Sequence, residues 1–412
     1  MTSTPIKQRK GVAKSQAKFE PEAFRDALFK FLETVQPGDW EGYVSSLDKA
    51  GNTLDYRKYA DQLFEVLILG GLLAPGGMIV DDVPSSPFAV FQAKSAAIED
   101  VRPYVDVMEK MIRRFKFLQK TLEESTMQGI VQYVNRFEEE QRAKLAVFIG
   151  QAIATGLISA SVLLPLQKDH MSKDDTALGF VTIVFRTYLA DQTIEQLGSA
   201  LRKGGVRDWL AFFPQTKRSQ PDIIVRYFKS EEVNLPQVAD YYMRRQTKEL
   251  RDMTVNELAE LVAAEGTPVS EMSALLERRN KELQLAPEDF ITVAWDGIIR
   301  GIDSSVKADQ LELAVPKEIE RLASVLEPLA TNARAQINLI NTIQLHCYTD
   351  TRVFKSFAHI LKALYSGNVV SEQAIIYWAH KGAKPQGKQH FLKLAEPLVN
   401  FLESQDSDDE EE

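Results

Sequence analysis

Cysteine is almost missing from this 412-residue chain, where Cys347 stands alone. One thiol excludes intrachain disulfides and any zinc module built on cysteines, and it fits a reducing compartment. No apolar run reaches the roughly 18 residues that a membrane span needs, and mean hydropathy is −0.21. Residues 1–18 carry Lys7, Arg9, Lys10, Lys14 and Lys18 without an acid. No apolar segment follows those charges, which argues against a secretory signal, so the stretch reads as a disordered basic arm. The chain is expected to be soluble and cytoplasmic. Period-2 alternation is also missing, and β-branched clusters such as Val181-Thr182-Ile183-Val184 are short.

Catalytic signatures are equally scarce. Gly70-Gly71 and Gly76-Gly77 resemble a phosphate loop only superficially, because no Gly-Lys-Ser/Thr follows and no strand precedes. They read as a helix stop and a tight turn. The five histidines show no metal spacing, and Asp81-Asp82 is a carboxylate pair that nothing places in a cleft. His346 and Cys347 are adjacent, so on a helix they point about 100° apart and cannot act as base and nucleophile. Cys347 is expected to be a small buried hydrophobe. No enzyme activity, metal or cofactor is indicated.

What the chain does have is helical periodicity from Phe19 to Leu402. Phe24, Leu28, Phe31 and Leu32 mark one helix entered through Pro21. Tyr59, Leu63, Phe64 and Leu67 mark another that ends at Gly70-Gly71. Residues 74–90 are loop with a short extended piece at Met78–Val80. A long helical region follows over 104–167, then helices near 176–203, 206–212, 221–229, 235–245, 250–264, 269–285 and 287–301. Breakers arrive every 15 to 25 residues or so, the spacing of paired antiparallel helices. The expected fold is all-α, an α-solenoid of irregular helical hairpins without a strict repeat. Residues 19–235 would form an N-terminal helical domain and 240–404 a C-terminal one, the break falling at Ser230–Pro236. The interleaved charges of 245–282 read as a solvated helix face.

Charge is distributed unevenly. From Glu403 onward there are seven carboxylates and no Lys or Arg, and removing those seven from 58 leaves 51 acids against 49 bases. The acidic tail 405–412 is therefore bait for a lysine-rich partner or, more blandly, a solubilising segment. Arg113, Arg114, Lys116 and Lys120 form a basic stripe if they share one helix. That stripe could meet RNA or an acidic protein, and a solvated face is its plainer meaning. No a/d heptad persists long enough for a leucine zipper.

The C-terminal region concentrates aromatics and acids. Ser371 is placed to cap a helix containing Glu372, Ala374, Ile375, Tyr377 and Trp378. After a loop over Lys381–Gln389, Phe391, Leu394, Ala395, Leu398, Phe401 and Leu402 line a final helix, in which Pro397 should produce a kink. On that stripe Trp378, Phe391 and Phe401 favour core packing over ligand contact, while Glu396 and Glu403 project away.

Glu-Gln-Ala-Ile-Ile-Tyr-Trp (372–378), Phe-Leu-Lys-Leu-Ala-Glu-Pro-Leu-Val-Asn-Phe-Leu-Glu (391–403) and the acidic end resemble the two aromatic/acidic boxes of the W-two domain. That domain closes translation initiation factor five and the epsilon subunit of the factor-two exchange complex. Leu54–Phe64 and Leu-Ala-Pro-Gly-Gly (73–77) are similar to the initiation-factor-five mimic proteins, also called basic-leucine-zipper-and-W-two-domain proteins. The resemblance spans nearly the whole chain. It implies a HEAT-type solenoid ending in a W-two domain, noncatalytic, that binds initiation factor two through its lysine-rich beta subunit and the large helical subunit of initiation factor three. It would compete with factor five and affect start-codon stringency. Contact with the small ribosomal subunit or RNA is a further implication. Carried over residue by residue, the contact positions are Glu372, Tyr377, Trp378, Glu396, Phe401, Glu403, Asp406, Asp408, Asp409, Glu410, Glu411 and Glu412. Where the family often has a second aromatic after the tryptophan, Ala379 stands here. Factor five also carries a cysteine-based zinc ribbon, which a chain with one cysteine cannot build. An RNA-associated HEAT scaffold using the basic arm and stripe is the alternative.

Overall fold

In the computed structural model, residues 18–409 are described except 221, 265, 303, 304 and 306, and except the side chains of 308, 309 and 405–409. The basic arm therefore lies outside the described residues apart from Lys18. Two compact units emerge, Met1–Tyr242 and Met243–Glu412. Among the described residues there is no strand; the extended piece expected at 78–80 reduces to an isolated bridge between Leu73 and Ile79.

In the first unit, local sequence sets the helix ends. Pro21 opens α1 (Pro21–Leu32), where its missing N–H costs nothing. Asp39 caps α2 (Trp40–Gly51) by accepting from the Gly42 N–H at 2.9 Å. Helix α3 (Ala60–Leu69) stops at Gly70, whose φ of 90° is left-handed. Helix α4 (Ile98–Arg114) follows the loop. The helical region expected over 104–167 is not continuous. It breaks at Phe115 into single turns α5 (Leu118–Thr121) and α6 (Gln128–Val131) around a π-turn at Leu122–Met127. Helix α7 (Glu139–Ala154) and a 3-10 segment at Ala160–Gln167 complete it.

The cause of that break is tertiary. Phe115 packs edge-on to Tyr56 at 5.4 Å, and the Arg57 guanidinium sits 4.0 Å over the Phe117 ring. Then come α8 (Thr176–Asp191), α9 (Ile194–Lys203) and α10 (Ile223–Lys229). The helix expected at 206–212 is only a three-residue turn, Leu210–Phe212. Helices α1, α2, α4, α7 and α8 pack in succession. The α7–α8 contact requires Gly150, since a Cβ there would lie 2.8 Å from the Val184 carbonyl oxygen.

Two helices expected at 235–245 and 250–264 are one, α11 (Pro236–Ala263), and the division between units falls inside it. The intervening run Arg244–Glu249 is charged but contains no Gly or Pro, so nothing in it stops a helix. The second unit continues with α12 (Val269–Leu283), α13 (Pro287–Gly301) and α14 (Ala308–Leu326). It ends with α15 (Ala333–Thr349), α16 (Phe357–Ser366), α17 (Glu372–Tyr377) and α18 (Lys388–Asp409). Helices α12, α14, α16 and α18 pack one on the next, and so do α13, α15 and α17. This alternation makes the two layers of a helical-hairpin solenoid, with Trp295, Phe290, Ile319, Phe357 and Trp378 buried between them.

Candidate partner-binding site

The end of the second unit is built on four aromatic rings. Phe357 lies 5.1 Å from Trp378 and 4.8 Å from Phe391, and Phe391 lies 4.7 Å from Phe354. Such pairs contribute about 0.5–1.5 kcal/mol each beyond the area they bury. Trp378 is completely buried, so its indole N–H needs an internal acceptor. Gln344 of α15 supplies it: Oε1 accepts from Trp378 Nε1 and from the Lys384 backbone N–H, both at 3.1 Å. Its Nε2 donates to the carbonyls of Lys384 and Gln386 at 2.8 and 2.7 Å. One buried amide thus pins the connection between α17 and α18 to the tryptophan beneath it. Sequence reasoning missed Gln344; the signal was an uncharged polar residue inside the stripe Leu339, Ile340, Ile343, Cys347.

Ser371 caps α17, its Oγ accepting from the Ala374 N–H at 3.3 Å and donating to Gln336 Oε1 at 2.8 Å. Glu372 occupies the first turn and is half-buried. Ala374 and Ile375 face inward, while Tyr377 points out with 48% of its surface exposed. A π-turn at Trp378–Gly382 shortens the expected loop, and α18 begins at Lys388.

On α18 the buried stripe is Phe391, Ala395, Val399 and Leu402. The exposed stripe is Lys393, Glu396, Pro397, Asn400, Phe401 and Ser404, at alternating 3-and-1 spacing. Phe401 belongs to that outer stripe and is 54% exposed, which corrects its placement on the inner one. The helix runs through Pro397 as a single element. Glu403 is half-buried, and its Oε1 lies 2.7 Å from His380 Nε2, joining the end of α18 to the turn after α17.

Of the positions expected to touch a partner, Tyr377, Glu396 and Phe401 are exposed, and Glu372 and Glu403 are half-exposed. Trp378 is a correction: fully buried with its N–H engaged, it supports the surface and has none of its own to offer. The side chains of Asp406, Asp408 and Asp409, and all of Glu410, Glu411 and Glu412, lie outside the described residues.

The basic stripe is not one helix face. Helix α4 ends at Arg114, and Lys116 and Lys120 lie beyond the break at Phe115. Arg113 pairs with Glu109 at 3.2 Å, Arg114 with Asp48 at 2.8 Å and Lys120 with Glu124 at 3.6 Å. Most of its charge is already compensated.

Cys347 is buried, and that burial pushes its thiol up to about 12, which makes it inert at neutral pH. Burial lowers the neighbouring His346, whose ring stands edge-on to Trp295 at 6.3 Å. Among the described residues, no group of His, Cys, Asp or Glu could hold a metal ion, and no helix is long and apolar enough to cross a membrane.

Two family models match the chain, a 5MP1/2 HEAT domain over residues 6–252 and an eIF4-gamma/eIF5/eIF2-epsilon W2 domain over residues 335–412. Protein krasavietz of Drosophila melanogaster is 31% identical over 99% of this chain and 95% of its own length. eIF5-mimic protein 1 of Gallus gallus is 30% identical, over 98% of this chain and 96% of its own. The Homo sapiens protein of that name is 29% identical, over 100% and 97%. No solved structure matches.

Proposed function

Because this chain belongs to the family of eIF5-mimic proteins, with a HEAT domain followed by a W2 domain and hence a role in translation initiation, we propose that it acts as a noncatalytic decoy. It engages the lysine-rich beta subunit of initiation factor two through the outward faces of α17 and α18, and the large helical subunit of factor three. By holding those surfaces it competes with factor five and affects start-codon stringency. The observation that carries this reading is the exposure of Tyr377 and Phe401, 48% and 54%, in company with Glu396 and the acidic end of α18.

Magnitudes explain why both chemistries are needed. An exposed ion pair contributes about 0.2–1 kcal/mol, whereas micromolar affinity needs about 8 kcal/mol. Carboxylates attract the lysines and set the salt dependence, and the two aromatic faces add desolvated contact to the lysine stems. Gln344 and Trp378 tie α17 to its turn through buried hydrogen bonds, which lowers the ordering cost of binding there.

The test is a titration of the full chain with a lysine-box peptide from the factor-two beta subunit, beside a variant carrying Lys at Glu396, Glu403, Asp408 and Asp409. Micromolar binding that weakens with salt and is lost in the variant supports the decoy reading. Equal binding by both proteins, or none, removes it.

A further inference from the structure

A second surface lies between α11 and α12. Two hollows, about 410 and 300 Å³, follow one another along the crevice between these helices. On α11 the lining positions Gln246, Leu250, Met253, Glu257, Glu260 and Leu261 recur at 3-and-4 spacing, a single face. On α12, Glu271, Ala274, Leu275, Arg278, Glu282 and Leu283 do the same. The crevice therefore runs about 22 Å, the rise of some 15 helical residues. From beneath, the buried Arg279 links residues of the two hollows, donating to Glu257 at 2.8 Å and to Glu282 at 2.7 Å.

Its floor is apolar and partly open. Leu250 and Leu261 are half-buried, Leu275 and Leu283 are buried, and Met253 is 51% exposed. Methionine is flexible and polarisable, suited to faces that must accommodate another side chain. The rim is acidic: Glu249, Glu257, Glu260, Glu271 and Glu282 line it against Arg278 alone. Arg245 pairs with Glu249, Arg278 and Arg279 with Glu257, and Arg279 with Glu282. Glu260 and Glu271, on the two sides of the crevice near the connection between α11 and α12, carry no ion pair among the described residues.

We propose that this crevice is a docking groove for a lysine-bearing amphipathic helix of a partner protein. An apolar floor of helical length selects an amphipathic helix laid lengthwise. Glu260 and Glu271 select lysines flanking its apolar stripe, because their charge is not neutralised from within. This surface uses other helices than α17 and α18, and the inference stands whether or not those bind factor two.

The test uses the full chain and a synthetic 15-residue helix with leucines on one face and lysines beside them, fitted with a photoreactive group. A scrambled peptide of the same composition measures plain polycation attraction. Binding to the helix should exceed binding to the scramble by at least tenfold, with cross-links confined to 246–283. Met253→Glu with Glu260→Lys and Glu271→Lys should weaken it about tenfold; the milder pair Glu260→Gln and Glu271→Gln, chosen to preserve the fold, should weaken it about threefold. Lys at Asp408 and Asp409 should change it less than twofold. Equal binding of helix and scramble, cross-links elsewhere, or indifference to the crevice variants would overturn the proposal. So would a tenfold gain on removing residues 1–17, which would make the chain's own basic arm the occupant.

Discussion

The two units use their charges differently. In the first, acids are spent joining segments that are distant in sequence: Asp82 holds Arg25, Asp48 holds Arg114, Glu41 holds Lys110 and Asp191 holds Arg102. In the second, several pairs are local, such as Glu318 with Arg321, Glu277 with Lys281 and Asp350 with Arg352. Meanwhile Glu260, Glu271 and Glu396 take part in no ion pair among the described residues. The longest of these pairs among the described residues spans 89 positions in the first unit, Arg102 to Asp191, and 45 in the second, Arg251 to Asp296, so charge ties more distant segments together in the first. The aromatics differ in number exposed: Phe19 among the first unit's described residues, against Tyr348, Tyr377 and Phe401 in the second. Phe88, Tyr43 and Tyr104 of the first unit stack inward, while Tyr377 and Phe401 of the second face out.

The harshest way to break this comparison is Trp378→Ala. Removing a buried indole costs about 3–5 kcal/mol and strands one lone pair of Gln344. Proteolysis followed unit by unit should show the second unit opening and the first unchanged; equal loss in both would mean that the units do not melt separately. Next in size is Glu65, which burial pushes up to about 7 although it accepts the Leu73 N–H at 3.0 Å. A carboxyl raised in the folded state binds protons there that the unfolded chain has released, so stability falls as pH rises from about 4.5 to about 7. Glu65→Gln should stabilise the first unit by roughly 1–3 kcal/mol at pH 8, an advantage that disappears near pH 4. Melting curves at the two pH values decide it.

Smaller effects sharpen the contrast. Tyr377→Ala with Phe401→Ala should leave the melting temperature within about 2 °C, because exposed substitutions cost within about 0.5 kcal/mol. The same pair should lower affinity for the lysine-box peptide about fivefold; a large loss of stability instead would mean that these rings are structural. Least of all, His380→Ala removes one partner of Glu403 and should raise that affinity no more than about twofold, since an exposed pair contributes about 0.2–1 kcal/mol. Calorimetric titration resolves a change of that size.

Much of this was legible in the sequence, for reasons that can be named. Pro21, Gly70 and Ser371 act through their own backbone or side-chain chemistry, so the helix ends they set could be read directly. The all-helical class followed from periodicity, and the W2 boxes from residues 372–403. The break at Phe115 was invisible because it comes from Tyr56 and Gly51, some sixty residues away, and no Gly or Pro marks it. Phe401 misled because apolar spacing alone does not say that Val399 takes the buried position instead. The α11–α12 crevice was hidden inside a run of mixed charge, where one helix face and its neighbour look alike until they are paired.

The Gln344 clamp has a consequence in the language of exchange kinetics. Lys384 lies between helices, where an amide hydrogen ordinarily exchanges with solvent at nearly the free rate. Its N–H is held by a side chain that is itself completely buried. Deuterium can enter at that position only when the Trp378 core opens, so a loop residue should exchange as slowly as the helices beneath it and report the integrity of the whole unit.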